Sequence, residues 1–239
     1  MQIEIIDFHS HILPGMDDGS PDIPTSLGML REAARQGVGV QVLTPHYYPW
    51  KEEPERFLAR RAQSAETLMQ ALEPGFPRVL VGAEVAFFPR MSETDLRPLC
   101  IGGTRVLLVE LPFESWDRRV EDQLASLSLD RGYAVILAHV ERYLRYGGNP
   151  ETLERIAALP LRMQVNAEAL LQLGSRRRAL ELFRRGRAQL LGSDAHNLSN
   201  RRPNLAAGRR LLGRKLGAEA LEYIDETGSA LLQEEIAVP

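Results

Sequence analysis

Short apolar runs rich in β-branched residues alternate along the chain with longer segments whose apolar positions recur at helical spacing. Ile3 to Ile6, Val38 to Thr44, Val79 to Val85, Val106 to Leu111, Ala134 to Ala138, Leu161 to Asn166 and Ala188 to Gly192 read as seven buried strands. Between them, Asp22 to Gly37, Glu52 to Leu72, Ser92 to Leu99, Ser115 to Arg131, Asn149 to Leu159 and Ser175 to Gly186 read as helices, delimited by Gly, Pro and capping residues. Pro203 to Leu216 and Ala218 to Asp225 follow as helices, with a short helix or ragged tail after Gly228. Strands apolar on both faces, each followed by a helix, predict an α/β parallel barrel, and the absence of linkers, repeats or composition breaks predicts one domain over 1–239.

The polar residues that interrupt this pattern gather at one place. A parallel barrel carries its active site at the C-terminal strand ends, and all five histidines, His9, His11, His46, His139 and His196, fall there. So do Asp18, Glu84, Glu110 and Asp194. A lone histidine near a strand end is ordinarily a hydrogen-bonded core or surface group, but five at one end of a barrel are not explained that way. His9 and His11, spaced two apart at the end of a strand, project to the same side, as do Asp194 and His196. Pro14-Gly15 and Asp17-Asp18-Gly19 force a turn that returns both aspartates over the first strand. Glu84 and Glu110 sit in apolar runs, where an unpaired carboxylate is costly and a cation relieves the cost. Nine such donors exceed the needs of one four-coordinate zinc, so two or three divalent ions sharing carboxylates are expected.

Composition narrows the function classes. The 239 residues are 44% hydrophobic and 26% charged, with mean hydropathy −0.22, which is ordinary for a soluble globular protein. The first residues lack a basic n-region, and no run approaches the roughly 18 apolar residues of a membrane span, so a cytoplasmic protein without membrane insertion is expected. The single cysteine, Cys100, excludes an internal disulfide and a cysteine-built zinc site. Cys100-Ile-Gly-Gly-Thr-Arg105 has four intervening residues where the thiolate loop of cysteine-dependent phosphatases needs five, and it precedes a strand instead of a helix N-terminus. Arg176 to Lys215 holds 12 basic residues against Glu181 and Asp194, although the whole chain sums to −3. That segment can attract anions, yet solvated helix faces explain it equally, and nucleic-acid binding is not required.

Asp7-Phe-His-Ser-His-Ile-Leu-Pro-Gly-Met-Asp-Asp-Gly19, Thr44-Pro-His46, Gly82-Ala-Glu84, Ala138-His-Val-Glu-Arg-Tyr143 and Gly192-Ser-Asp-Ala-His-Asn197 together resemble the polymerase-and-histidinol-phosphatase (PHP) superfamily. Within it they are most similar to the bacterial tyrosine-protein phosphatases of capsular and exopolysaccharide synthesis, in order from Asp7 to about Asn204. The resemblance implies a distorted (β/α)7 TIM-like barrel and a three-metal site, commonly manganese, with iron, zinc or magnesium as alternatives. Its implied partner is a phosphotyrosine protein, the tail of a tyrosine kinase that regulates polysaccharide export. Carried over residue by residue, the ligands are His9, His11, Asp18, His46, Glu84, Glu110, His139, Asp194 and His196. Arg142 and Arg201 match arginines that hold substrate phosphate, Arg202 being the neighbouring alternative. Val140 stands where the family usually has proline, which bears on where Arg142 points.

The expected chemistry is in-line attack on phosphorus by a water activated by the cations, with no covalent phosphoenzyme. His11, His196 or an adjacent aspartate would protonate the leaving oxygen. A small-molecule phosphatase acting on histidinol phosphate is the main alternative. A metal-dependent amidohydrolase would leave the arginines idle, and a non-enzymatic binding module would explain neither the number of ligands nor the open geometry. Action on a protein tail requires a shallow cleft, with the basic segment as a possible dock.

Overall fold

In the computed structural model, which describes residues 4–114, 116–146 and 150–234, the apolar runs form strands whose every pairing is parallel. These are β1 (Ile5–Asp7), β2 (Val38–Leu43), β3 (His46–Tyr47), β4 (Arg78–Val81), β5 (Glu84–Ala86), β6 (Val106–Glu110), β7 (Ala134–Leu137), β8 (Arg162–Asn166) and β9 (Leu190–Gly192). Their orders are β1-β2-β4 and β3-β5-β6-β7-β8-β9. The two sheets are one curled surface, because β2 runs on into β3 and β4 into β5. Pro45 has no N–H for the ladder and interrupts the first pair. Gly82 N to Leu43 O (2.9 Å) and Glu84 N to Pro45 O (3.0 Å) carry the pairing across the break. The chain therefore makes seven strand passes, and past the ends of β1 and β9 the barrel closes through Asp194 N to His9 O and His11 N to Ala195 O, both 2.8 Å. This is the distorted (β/α)7 barrel.

The helices are α1 (Ile23–Arg35), α2 (Pro54–Gln70), α3 (Arg118–Ala125), α4 (Val140–Tyr146), α5 (Pro150–Ile156), α6 (Ala167–Leu171), α7 (Leu173–Arg184), α8 (Leu205–Leu216) and α9 (Ala218–Glu234). Asp22 caps α1 by accepting from Thr25 N at 2.9 Å. Four expectations change. Ser92 to Leu99 is not one helix but two 3-10 turns, Met91–Glu93 and Arg97–Leu99, since Pro98 has no N–H to donate to Thr94 and Thr94 between the turns is extended. The segment after His139, assigned to no element by the sequence pattern, is a helix, α4, with buried Val140 as its first residue. A short α6 precedes α7. Finally, α9 continues unbroken through Gly228 to Glu234, where a break followed by a short helix or ragged tail was expected. A Cβ at Gly228 would lie 2.8 Å from Phe8 Cε2, so this glycine marks close packing of α9 on β1 and not a chain break. The expected helix start at Ser115 and the cap at Asn149 lie outside the described residues.

Two apolar layers result. One fills the barrel interior with Ile6, Phe8, Val40, Val42, Val106, Leu108, Ile136 and Leu190, and Leu232 of α9 joins it from below. The other lies between strands and helices. On β6 the inward positions Val106 and Leu108 are followed by Glu110, so the apolar interior gives way to charge at the C-terminal end.

Candidate metal centre

His9 and His11 stand beyond the end of β1, held there by the backbone bonds that close the barrel. Their Nε2 atoms approach to 3.1 Å, and both face Glu84 Oε2 (3.3 and 3.4 Å) and Asp194 Oδ1 (3.6 and 3.4 Å). His139 Nε2 meets Glu84 Oε1 at 2.8 Å and Glu110 Oε1 at 3.3 Å. His46 and His196 both approach Asp18 Oδ1, at 3.7 and 3.6 Å. All nine expected ligands thus meet in one bowl at the C-terminal strand ends. All but Asp18, which is 67% exposed at the rim, are largely or wholly buried. Two of them, His139 (φ 33°) and Asp194 (φ 52°), adopt the left-handed backbone region that side chains rarely enter, a strain the surrounding contacts impose.

The hydrogen bonds at the back of the bowl set what the front can bind. Gln164 Oε1 accepts from His139 N (2.9 Å) and faces His9 Nδ1 (3.1 Å), while its amide nitrogen donates to Asn166 Oδ1 (2.9 Å). Asp17 Oδ2 likewise accepts from His46 N (2.8 Å) and lies 2.7 Å from His11 Nδ1. Each pairing fixes a proton on Nδ1 and turns the Nε2 lone pair inward, the arrangement typical of metal-ligating histidines. His46 Nδ1 lies 2.8 Å from Glu84 Oε2 without hydrogen-bond alignment, and neither atom has a hydrogen-bond partner, nor do His139 Nδ1 and His196 Nε2. Buried lone pairs aimed at one another without partners are what a cation would satisfy. The donors fall into overlapping groups, His9 with His11 and Glu84, His46 with Glu84 and Glu110, and His11 with His46 and His196. Asp17 and Asp18 with His46 form a further group. The residues present therefore fit more than one divalent ion.

Electrostatics reports the same crowding. Burial would raise Glu84 and Asp194, but the facing His9 and His11 rings, with Arg142 beside Asp194, hold both carboxyls well below their ordinary range. Burial would lower His11 and His139, and their carboxylate neighbours outweigh it: His11 is raised and His139 reaches about 9. His196 is driven down to about 4 by burial and by His11. Without cations, protons on some rings balance the carboxylates.

Two guanidinium groups border the bowl. Arg142 of α4 bonds Asp194 Oδ2, and Arg201 Nη2 reaches Asp194 Oδ1 at 3.1 Å with Nη1 3.6 Å from Asp18 Oδ2. Both are about a third exposed, so each presents part of its fork outward. Arg202 is exposed, and the guanidinium at Asp18 and Asp194 is that of Arg201. Within the basic segment 176–215 several charges are engaged inside the fold. Arg176 donates to Leu170 O and Leu171 O, Arg184 and Arg185 pair with Glu181, Arg187 with Glu154, and Arg209 with Asp225. The basic residues beside the site are Lys51, Arg56 and Arg60, which with Asp17, Asp18, His46 and Tyr48 line an open cleft of about 650 Å³. A second cleft of about 470 Å³ opens past Glu110 among Tyr48, Trp50, Phe87 and Phe113.

Gln164, Asn166 and Asp17 were not singled out by sequence as orienting groups. The signal for the first two was the polar residues at alternate positions of a strand that is otherwise buried. Gly19 explains why Asp17 sits so close: a Cβ there would come within 2.2 Å of His11 O, so the turn lies directly against the histidine.

A family model described as capsular polysaccharide synthesis, CpsB/CapC, matches residues 5–231. The tyrosine-protein phosphatase YwqE of Bacillus subtilis is 30% identical over 238 residues, covering 96% of this chain and 92% of that one. The tyrosine-protein phosphatase CpsB of Streptococcus agalactiae is 26% identical over 245 residues, covering 96% and 98%. Among solved structures, one from a study of YwqE from Bacillus subtilis and CpsB from Streptococcus pneumoniae, described as unique metal-dependent tyrosine phosphatases, superposes with a TM-score of 0.84. It is 26% identical and covers 97% of this chain and 95% of that one.

Proposed function

The chain belongs to the CpsB/CapC family of capsular polysaccharide synthesis, and from that membership and the bowl's geometry we propose that it is a metal-dependent tyrosine-protein phosphatase. The single observation that carries the reading is the pair of forks, Arg142 and Arg201, bracketing Asp194 at the edge of a bowl of imidazoles and carboxylates. An amidohydrolase would need the bowl but not the forks. We assign His9, His11, Asp18, His46, Glu84, Glu110, His139, Asp194 and His196 as ligands of two or three divalent ions, manganese first, with iron, zinc or magnesium as alternatives. When bound, such ions supply Lewis-acid polarisation of the phosphoryl group and acidify the attacking water.

The chain's own residues do the rest. Arg142 and Arg201 take phosphoryl oxygens bidentately, fix the ester for in-line attack and neutralise charge that grows toward the transition state. Asp17 and Gln164 keep the Nε2 lone pairs of His11 and His9 aimed inward. For His11 and His196, ligation and proton donation compete, because each has its Nδ1 engaged and only Nε2 facing the bowl. A phenolate, with a parent phenol of pKa about 10, needs that proton least among ester leaving groups. The open clefts suit a protein side chain, and a phosphotyrosine tail of a kinase that controls polysaccharide synthesis is the proposed substrate. No described helix is long and apolar enough to cross a membrane, and we place the activity in the cytoplasm, with 1–239 acting as a single unit.

One observation favours a second reading: exposed Glu114 lines the aromatic cleft and offers a carboxylate to an amine such as that of histidinol phosphate. The test compares kcat/KM for a phosphotyrosyl peptide, the matching phosphoseryl peptide and histidinol phosphate at fixed metal and ionic strength. The phosphotyrosyl peptide is expected to lead. A preference of about a hundredfold for histidinol phosphate, or about 2.7 kcal/mol of transition-state discrimination, overturns the tyrosine assignment.

A further inference from the structure

Single exposed apolar side chains are ordinary, but exposed aromatic side chains gathered in one cleft mark a binding groove. Of the three exposed aromatic side chains among the described residues, Trp50 (64%), Phe113 (42%) and Tyr223 (52%), the first two line the same cleft. They come from different strand ends: Trp50 follows β3, and Phe113 follows β6. Each is keyed to the bowl. Tyr48 stacks on the His46 ring (centroids 5.1 Å apart, planes at 26°) and supports Trp50 (5.3 Å). Phe113 stacks on His139 (5.8 Å, 25°). Lys51 Nζ lies 4.1 Å from the Tyr48 ring centroid, so with His46 beside it Tyr48 acts as a support, which leaves the cleft walls to Trp50 and Phe113. The cleft ends at Glu110, which also belongs to the metal-ligating group with His46 and Glu84. The bowl and the aromatic walls are therefore continuous.

We propose that the cleft between Trp50 and Phe113 receives the phenyl ring of the phosphotyrosine side chain and makes the site select aryl over alkyl phosphate esters, an inference that rests on the phosphatase reading above. Flat walls favour a flat, rigid occupant through offset or edge-to-face ring contacts. A phosphoryl group held in the bowl then leads toward the walls past Glu110 through the aryl oxygen. A phosphoseryl side chain has a single methylene there and cannot fill them. Phe87 lines the cleft beside Ala86, on the β5 side.

The experiment uses the metal-loaded protein and two readouts. The first is the ratio of kcat/KM for a phosphotyrosyl peptide to that for the phosphoseryl peptide of the same sequence. The second is the ratio of inhibition constants for methylphosphonate and phenylphosphonate. Trp50→Ala and Phe113→Ala are expected to lower each ratio about tenfold, and Trp50→Phe to restore most of it. Both side chains are exposed, so folding is retained and is checked by thermal melting. If the variants lose activity on both peptides in parallel, or keep the wild-type ratios, the inference is overturned while the phosphatase reading stands. If the wild-type protein hydrolyses no phosphate ester, the phosphatase reading falls and takes the inference with it.

Discussion

The two ends of the barrel are built on opposite terms. At the lower end Ile6, Phe8, Val40 and Leu190 close over an apolar interior, and α9 seals it with Leu232 and the close approach of Gly228 to Phe8. At the upper end the same strands finish in buried charge, with lone pairs facing one another and two residues held in the left-handed region. Burial of apolar area stabilises the lower end directly, whereas at the upper end desolvation of the charged groups is opposed by the facing imidazoles, carboxylates and guanidinium. A stable base thus carries a rim of buried charge, and damage at the two ends should be read out differently.

The largest expected effect is at the rim. Chelation should lower kcat by about a thousandfold or more, since several kcal/mol of transition-state stabilisation go with the ions at 1.36 kcal/mol per tenfold. Metal analysis of the purified protein should find at least one ion per chain, and a fully active protein with less would sink the metal reading. Next comes Arg142→Lys, which removes the bidentate fork but keeps the charge. It should cost about tenfold or more in kcat/KM, the scale of one charge-assisted bond of about 1.5 to 3 kcal/mol. Wild-type kinetics there would move the phosphate clamp to Arg201.

At the base the pattern should reverse. Gly228→Val places a side chain against Phe8 and Ile6 and should lower unfolding free energy by about 1 to 3 kcal/mol. Turnover per folded molecule should persist, and a selective loss of activity would show that the two ends are mechanically coupled. The smallest effect is expected for Cys100→Ser. Cys100 is buried with Sγ 3.5 Å from Leu96 O, a bond a serine hydroxyl can copy. Activity should be intact, and a folded variant without turnover would point to thiolate chemistry.

The alternation of strands and helices was legible because buried parallel strands need unbroken apolar runs and their covering helices need stripes. The cluster of imidazoles and carboxylates was legible because a charged residue at the end of such a run has few structural explanations. Less could be read where one residue type serves two ends. Asp17 and Asp18 are adjacent and chemically identical, and only the folded turn makes one orient His11 while the other faces His46 and His196. Gly228 reads as a break in the sequence, and only its packing against Phe8 and Ile6 shows that it is a contact. The same limit hid α4: seven residues after a left-handed His139 carry too little periodicity to announce a helix. The basic segment shows a related limit, since a count of charges does not reveal which are already paired.

The left-handed backbone at Asp194 separates shape from charge at the most heavily contacted carboxylate in the bowl. Asparagine tolerates that backbone region, while alanine and β-branched residues resist it by about 1 to 2 kcal/mol. Asp194→Asn therefore leaves the main chain at rest and withdraws only the anion from His9, His11 and both arginines. Truncation to alanine would disturb the loop as well and make the carboxylate look more important than it is. Position 194 thus has a conformational requirement of its own, and any lineage that lost the chemistry here could keep the bend by retaining a small amide in its place.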